Sequence, residues 1–381
     1  MPAIEQGPIR PPSEAHSLLL RVTRNCSWNR CEFCHIYKGR KFSPRTVEEV
    51  KKDIDTVKKI VTEIKSASWN LGYGGEVNNS LAGAILNRPQ SYREGYRNVL
   101  QWLFAGAKNV FLQDANNLIL RTKNLVEILN YLKDSFPSVN RITTYSRART
   151  VARKKVDELR ELHEAGLSRV HMGLESGYDP ILEFVQKGVT AREHIDAGRK
   201  IKQSGISLSE YIMPGLGGES MWREHAVETA RVLNEIDPDF IRVRTLKVLD
   251  IMPLHRRIEG GEFELLSDDG MVEEEKLLIE NLDGITSRFT SDHILNLLEE
   301  VEGEFPEDKE KMLAVINRYL ALSRPERDNF RLGRRAGYYR SLDDMENPEL
   351  RSRVDAIMRR IEKQHPGELD RIISELMESF L

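Results

Sequence analysis

Three cysteines, Cys26, Cys31 and Cys34, fall within nine residues of one another, and the 381-residue chain has no others. Confined to one short loop they cannot staple a fold, so the core must come from apolar packing, and a reducing, cytoplasmic setting is expected. Thiolates spaced this closely suit one metal centre, either an iron–sulfur cluster or zinc. Three are one short of a closed site. A cubane held here would leave one iron open to a further ligand, whereas structural zinc would need His35 as a fourth donor, with adjacent Cys34 and His35 bent onto one ion. Three unligated cysteines buried as small apolar side chains are the remaining alternative.

Around that loop the chain alternates strand-like and helix-like runs. Strands are expected at 17–24, 107–114, 141–146, 167–176, 206–215 and 239–249. The first intervening helix begins at Thr46, with Val50, Ile54, Val57, Ile60, Val61 and Ile64 at helical spacing. Later helices are read at 179–186, 191–204 and 221–236. Six strands joined by crossover helices predict a parallel α/β architecture, either an open doubly wound sheet or part of a (β/α) barrel. In both, chemistry collects at the carboxyl ends of the strands.

Pro2, Pro8, Pro11 and Pro12 predict an extended arm over residues 1–16. A core follows over 17–254, and beyond it the strand signals stop; helical runs such as DHILNLLEEVEG predict a helical C-terminal domain at 255–381. No apolar run reaches the roughly 18–20 residues of a membrane span, so no membrane partner is expected. Lysine plus arginine (57) nearly balances aspartate plus glutamate (60), which leaves nucleic acid possible through a local patch but not favoured.

The cysteine loop, directly after the first strand and with aromatic Phe33 before the last cysteine, resembles the radical SAM signature. It differs from the common pattern by having four residues, Ser27 to Arg30, between the first two cysteines instead of three. Gly173-Leu174-Glu175-Ser176-Gly177, ending the fourth strand, resembles the GLESG segment of the coproporphyrinogen-oxidase and elongator types. Ile212-Met213-Pro214-Gly215-Leu216-Gly217-Gly218 resembles the glycine-rich turn after strand five.

The resemblance implies a partial (β/α)6 TIM-like barrel, a [4Fe–4S] cluster on Cys26, Cys31 and Cys34, and S-adenosylmethionine (SAM) at the open iron. It assigns SAM contacts to Phe33 (adenine), Glu175 and Ser176 (ribose), Lys187 (carboxylate), and Gly215 and Gly217 (adenine turn). The methionyl amino group is assigned to Gln113, Asp114 and Asn116, which end a plain strand, in preference to Gly74-Gly75-Glu76, which no strand precedes. The expected activity is reductive SAM cleavage to a radical that takes hydrogen from an unknown small or macromolecular substrate, with a donor such as flavodoxin or ferredoxin. No catalytic side chain is assigned. A haem-trafficking protein and an RNA-modifying enzyme are the alternatives.

Other polar groups carry two readings. Arg242 and Arg244 share a strand face, and one could meet substrate. Arg147 and Arg149 could bind an anion or solvate a helix start. Ser291-Asp292-His293 reads as a helix start. Arg331, Arg334 and Arg335 could serve a phosphate or pair with acidic stretches at 271–280 and 299–310.

Overall fold

A computed structural model describes residues 4–87 and 95–378. The chain divides into two compact units: Met1–Asn29, Ile36–Gly173 and Asp196–Ser209 form the first, and Arg30–His35, Leu174–Ile195 and Glu210–Leu381 the second. The division does not run at residue 255; it passes through two strands and through the cysteine loop.

In the first unit, β1 (Leu18–Arg21), β2 (Asn109–Gln113), β3 (Arg141–Ser146) and the starts of β4 (Leu167–Glu175) and β5 (Ser207–Ile212) lie side by side in that order. β1 to β4 pair in parallel, with Leu18 opposite Val110, Val110 opposite Ile142, and Ile142 opposite Leu167. Helix α1 (Val47–Asn70) starts at a capping box: Thr46 Oγ1 accepts from Glu49 N at 3.1 Å and Glu49 Oε2 from Thr46 N at 2.8 Å. Its buried stripe of Val50, Ile54, Val57, Ile60 and Ile64 packs beside α2 (Thr122–Ser135), whose Leu125, Ile128, Leu129 and Leu132 are equally buried.

The N-terminal arm is docked. Gln113 holds it in both directions, accepting from Gly7 N at 2.9 Å and donating to Gly7 O at 3.0 Å and Ile9 O at 2.9 Å. Glu5 bridges Arg21 and Arg24, and buried Glu14 pairs with Arg141 at 3.0 Å.

In the second unit the ends of β4 and β5 are followed by β6 (Phe240–Val243), β7 (Arg288–Thr290) and β8 (Gly303–Glu304). β6 and β7 are parallel, β7 and β8 antiparallel. Helix α3 (Gly218–Ile236) packs on α4 (Asp268–Asn281), and α5 (Lys309–Leu320), α6 (Arg324–Arg335), α7 (Pro348–Gln364) and α8 (Leu369–Glu378) follow.

The six strands read from the sequence are therefore present, and the α/β expectation holds. Strands do not stop at 255, however: β7 and β8 are too short to show periodicity. Residues 291–302, read as a helix, have no regular structure. Leu295, Leu297, Leu298 and Val301 are buried, but the segment serves the end of β6 instead. Asn296 accepts from Thr245 N and donates to Val243 O, each at 2.9 Å, and Arg335 caps the Leu295 carbonyl at 2.8 Å. No described helix is long and apolar enough to cross a membrane.

Candidate cofactor site

Cys26 lies in the first unit, Cys31 and Cys34 in the second; all three are half-buried and none is in a disulfide. On the first unit's side, the residue before Cys26 is fixed by Asp114. This buried carboxylate accepts from Arg21 Nε at 2.9 Å, Arg21 Nη2 at 2.7 Å, Asn25 N at 3.0 Å and the Tyr37 hydroxyl. Burial, then the Asp114 charge, push the Tyr37 phenol far up, so it stays a donor. Asn25 Nδ2 also donates to Lys41 O at 2.7 Å.

Asn116 is spent similarly. Its amide donates to Ser27 Oγ at 2.8 Å and Thr150 Oγ1 at 2.9 Å, and its carbonyl accepts from Ser146 Oγ and Arg147 N, each at 3.1 Å. Arg147 in turn lies 5.0 Å from the Trp28 ring. The side chains of Gln113, Asp114 and Asn116, which the sequence assigns to SAM, thus grip the arm and the loop carrying Cys26. A polar strand end can hold a loop as readily as a ligand, and here the side chains hold the loop. Gly74-Gly75-Glu76 lies in a turn after α1, where Glu76 O accepts from Ser68 Oγ at 2.6 Å.

In the second unit, Glu175 ends β4 with φ +61°, a left-handed backbone held by two donors to its carbonyl, Met213 N and His225 Nε2, each at 3.0 Å. Lys187 donates to Glu175 Oε1 at 2.9 Å and lies 5.5 Å from the Phe33 ring centre. Phe33 also packs against an apolar cluster that includes Met213, Leu216, Leu246 and Met252. Ser176 is buried and its hydroxyl accepts from Tyr178 N at 3.1 Å, the turn role. Gly177 has no room for a side chain: a Cβ there would stand 2.3 Å from Glu228 O.

Beside this pair sits Glu210, which is fully buried. Neither carboxyl oxygen meets a side-chain donor among the described residues, and the Leu174 amide is at most a weak main-chain contact. Burial above all, and Glu175 secondarily, raise its pKa well above the usual carboxylate range, while Lys187 opposes them. A buried acid with so few donors is costly as an anion and is held in its neutral form, which can donate as well as accept.

The turn after β5 is braced from α4. Glu274 accepts from Gly215 N at 2.8 Å and faces His225 Nδ1, whose other nitrogen meets Glu175 O. Burial opposes a charged imidazole, but Glu274 outweighs it and the His225 pKa is raised. Gly215 has φ +91°, and a Cβ on Gly217 would lie 2.8 Å from Met221 O.

Of the two strand-six arginines, Arg242 pairs with Asp292 at 2.8 Å. Arg244 has no acidic partner among the described residues, and its charge, after burial, lowers the pKa of both His35 and His293, the latter to about 4. The arginine run is engaged within the fold. Arg331 bonds Asp268 at 3.0 Å and Asp370 at 2.6 Å, Arg334 bonds Glu299 at 2.9 Å, and Arg335 bonds Asp268 at 3.3 Å, all three guanidinium groups buried.

The sequence profile of the Radical SAM superfamily matches residues 20–230, more than half of the chain. The chain belongs to the radical SAM superfamily. A tRNA uridine(34) acetyltransferase of Methanocaldococcus jannaschii is 26% identical over 117 residues, 30% of this chain and 22% of that protein. The uncharacterized protein YtqA of Bacillus subtilis is 26% identical over 167 residues, 43% of this chain and 51% of that protein. Among solved structures, coproporphyrinogen III oxidase from Escherichia coli aligns with a TM-score of 0.46 at 16% identity, over 70% of this chain and 52% of that one. The chain thus spans about a fifth to a half of the length of these curated relatives.

As a radical SAM protein it is an enzyme whose cofactors are a [4Fe–4S] cluster and SAM. The residues present fit them: three thiols outside any disulfide lie on one loop, and a buried carboxyl with unmet oxygens lies beside an ion pair. No group of three or more His, Cys, Asp or Glu side chains among the described residues is gathered as for a single ion. A cubane keeps its thiolates farther apart than one ion does. Glu210, His225 and Glu274 were missed in the sequence. Glu210 had a readable signal, since it alternates with buried Leu208 and Ile212 on one face of β5, where a charge has no structural reason to be.

Proposed function

We propose that this radical SAM enzyme holds its cluster on Cys26, Cys31 and Cys34 and its SAM at the ends of β4 and β5, for hydrogen abstraction from an anionic substrate. The reading is carried by the Glu175–Lys187–Glu210 group beside Phe33, with Glu210 fully buried and Glu175 half-buried. When bound and reduced, the cluster supplies the electron that splits SAM into methionine and a 5′-deoxyadenosyl radical.

The chain's own residues bind and orient. Lys187 offers a cation for the SAM carboxylate, and Glu175 and Glu210 offer acceptors or a shared proton for its hydroxyl or ammonium groups. The turn at Gly215 and Gly217, braced by Glu274, offers a close main-chain approach to a flat ring. Asp114 and Asn116 hold the Cys26 side of the loop, and the Met213–Leu246 cluster excludes water. Arg244, the strand-six arginine without an acid partner among the described residues, is assigned to a carboxylate or phosphate of the substrate.

A nucleic-acid substrate is the second reading, supported by the name of the M. jannaschii relative; the pairing of Arg331, Arg334 and Arg335 weighs against it. Anaerobic reconstitution tests the main reading. Wild type is expected to take up iron and sulfide for one cubane, and SAM to change the paramagnetic spectrum of the reduced cluster. Iron uptake that persists in Cys26→Ala, Cys31→Ala and Cys34→Ala alike, or a spectrum indifferent to SAM, contradicts it. RNA retention that falls steeply with salt would instead favour the second reading.

A further inference from the structure

Glu32 lies between Cys31 and Cys34 and is only 5% exposed, an improbable place for a carboxylate beside two thiolates. Its partners explain how it is kept there. Arg257 donates to it through Nε at 3.1 Å and Nη2 at 3.2 Å, one nitrogen to each carboxyl oxygen, and Gln186 Nε2 donates at 2.6 Å. The guanidinium is itself placed, 5.1 Å from the Phe184 ring, which stacks on Phe263 at 5.9 Å, with Glu262 on its outer side. The main chain of Glu32 is stitched on both sides as well, donating to Val185 O at 2.9 Å and accepting from Leu254 N at 3.0 Å.

Arg257 belongs to the short helix Pro253–Glu259, beyond the stretch that matches the superfamily profile. We propose that Arg257 is a positioning residue that neutralises Glu32 and so sets both the hold of the Cys31–Cys34 segment on the cluster and the cluster's reduction potential. The proposal rests on reading Cys31 and Cys34 as ligands. With Arg257 in place, the Glu32 charge is balanced and its oxygens are engaged. Without it, a buried negative charge stands next to thiolates that already carry negative charge, which disfavours both the ligand set and the addition of an electron.

The test compares Arg257→Met, Arg257→Lys, Glu32→Gln and the double variant Glu32→Gln/Arg257→Met in the full chain. Each is read by iron retained after desalting, by the midpoint potential of the cluster, and by melting of the metal-free protein. Arg257→Met is expected to lose iron about tenfold faster than wild type, the scale of outer-partner losses at metal sites, and to have a more negative potential. The main-chain bonds of Glu32 remain, so the metal-free variant still melts cooperatively. Because the charge is the cause, the double variant recovers iron retention and potential, and Arg257→Lys lies between.

Unchanged iron retention and potential in Arg257→Met overturn the proposal. So does a double variant as defective as the single one, which would place the effect in packing against Phe184. A wild-type protein that binds no iron overturns the ligand reading and the clamp with it.

Discussion

Substituting Asp114 by asparagine separates two roles that the same residue could play. Its carboxylate is fully buried and faces donors only: two nitrogens of Arg21 at 2.7 and 2.9 Å, the Asn25 amide at 3.0 Å, and the Tyr37 hydroxyl. Asparagine keeps the shape but removes the charge and turns one oxygen into a donor. The Arg21 side chain, 13% exposed, then keeps Glu5 at 3.2 Å as its one counter-charge among the described residues. Breaking one partner of a buried pair costs about 3–5 kcal/mol, and the surviving Glu5 contact brings the expected loss to about 2–4 kcal/mol.

Urea unfolding of metal-free Asp114→Asn, followed by tryptophan fluorescence, should show that loss. Iron retention should fall because Asn25, next to Cys26, is released, while SAM affinity of the cluster-loaded fraction stays within about twofold of wild type, under 0.5 kcal/mol. Unchanged stability together with lost SAM affinity would refute the reasoning and return Asp114 to the role the sequence suggests.

Lys187→Met should weaken SAM binding about tenfold or more, the worth of a charge-assisted bond, as measured by titration of the loaded protein. An unaltered dissociation constant would remove Lys187 from the site. Glu275, buried on α4 beside Glu274, has a pKa raised to about 8 by burial first and its neighbour second. The folded state therefore holds a proton that the unfolded state releases near the ordinary glutamate value. Stability should decline as pH rises from about 4.5 to about 8 and level off above, by at most about 5 kcal/mol. Glu275→Gln should flatten that decline in urea melts taken across this range; identical slopes in both proteins would count against it. Gly177→Ala puts a Cβ 2.3 Å from a main-chain oxygen and should cost about 1–3 kcal/mol or more, read as a lowered unfolding midpoint. A wild-type midpoint would show that the turn yields freely.

The parts of the molecule visible in the sequence are those in which residue type alone determines the outcome. Periodic apolar spacing located six strands and α1, because a stripe such as Val50–Ile64 has one stable disposition. The loop and the GLESG and PGLGG turns were visible because cysteine and glycine are chosen there for chemistry and conformation. Partner choice was not visible. The sequence cannot tell that Asn116 reaches Ser27, that Arg242 takes Asp292 while Arg244 takes no acid among the described residues, or that Asn296 replaces a helix by capping β6. The arginines of α6 illustrate the same limit: Arg334 meets Glu299, within the acidic stretch from 299, but Arg331 and Arg335 close on Asp268, outside both stretches.

The central claim is that these residues hold a cluster and SAM for reductive cleavage, and product formation measures it most directly. Anaerobically reconstituted protein, given dithionite and SAM, should release 5′-deoxyadenosine and methionine, detected by chromatography with mass spectrometry. Cys26→Ala, Cys31→Ala and Cys34→Ala should each abolish release. Cluster-loaded wild type that leaves SAM intact, or cysteine variants that still cleave it, would contradict the account.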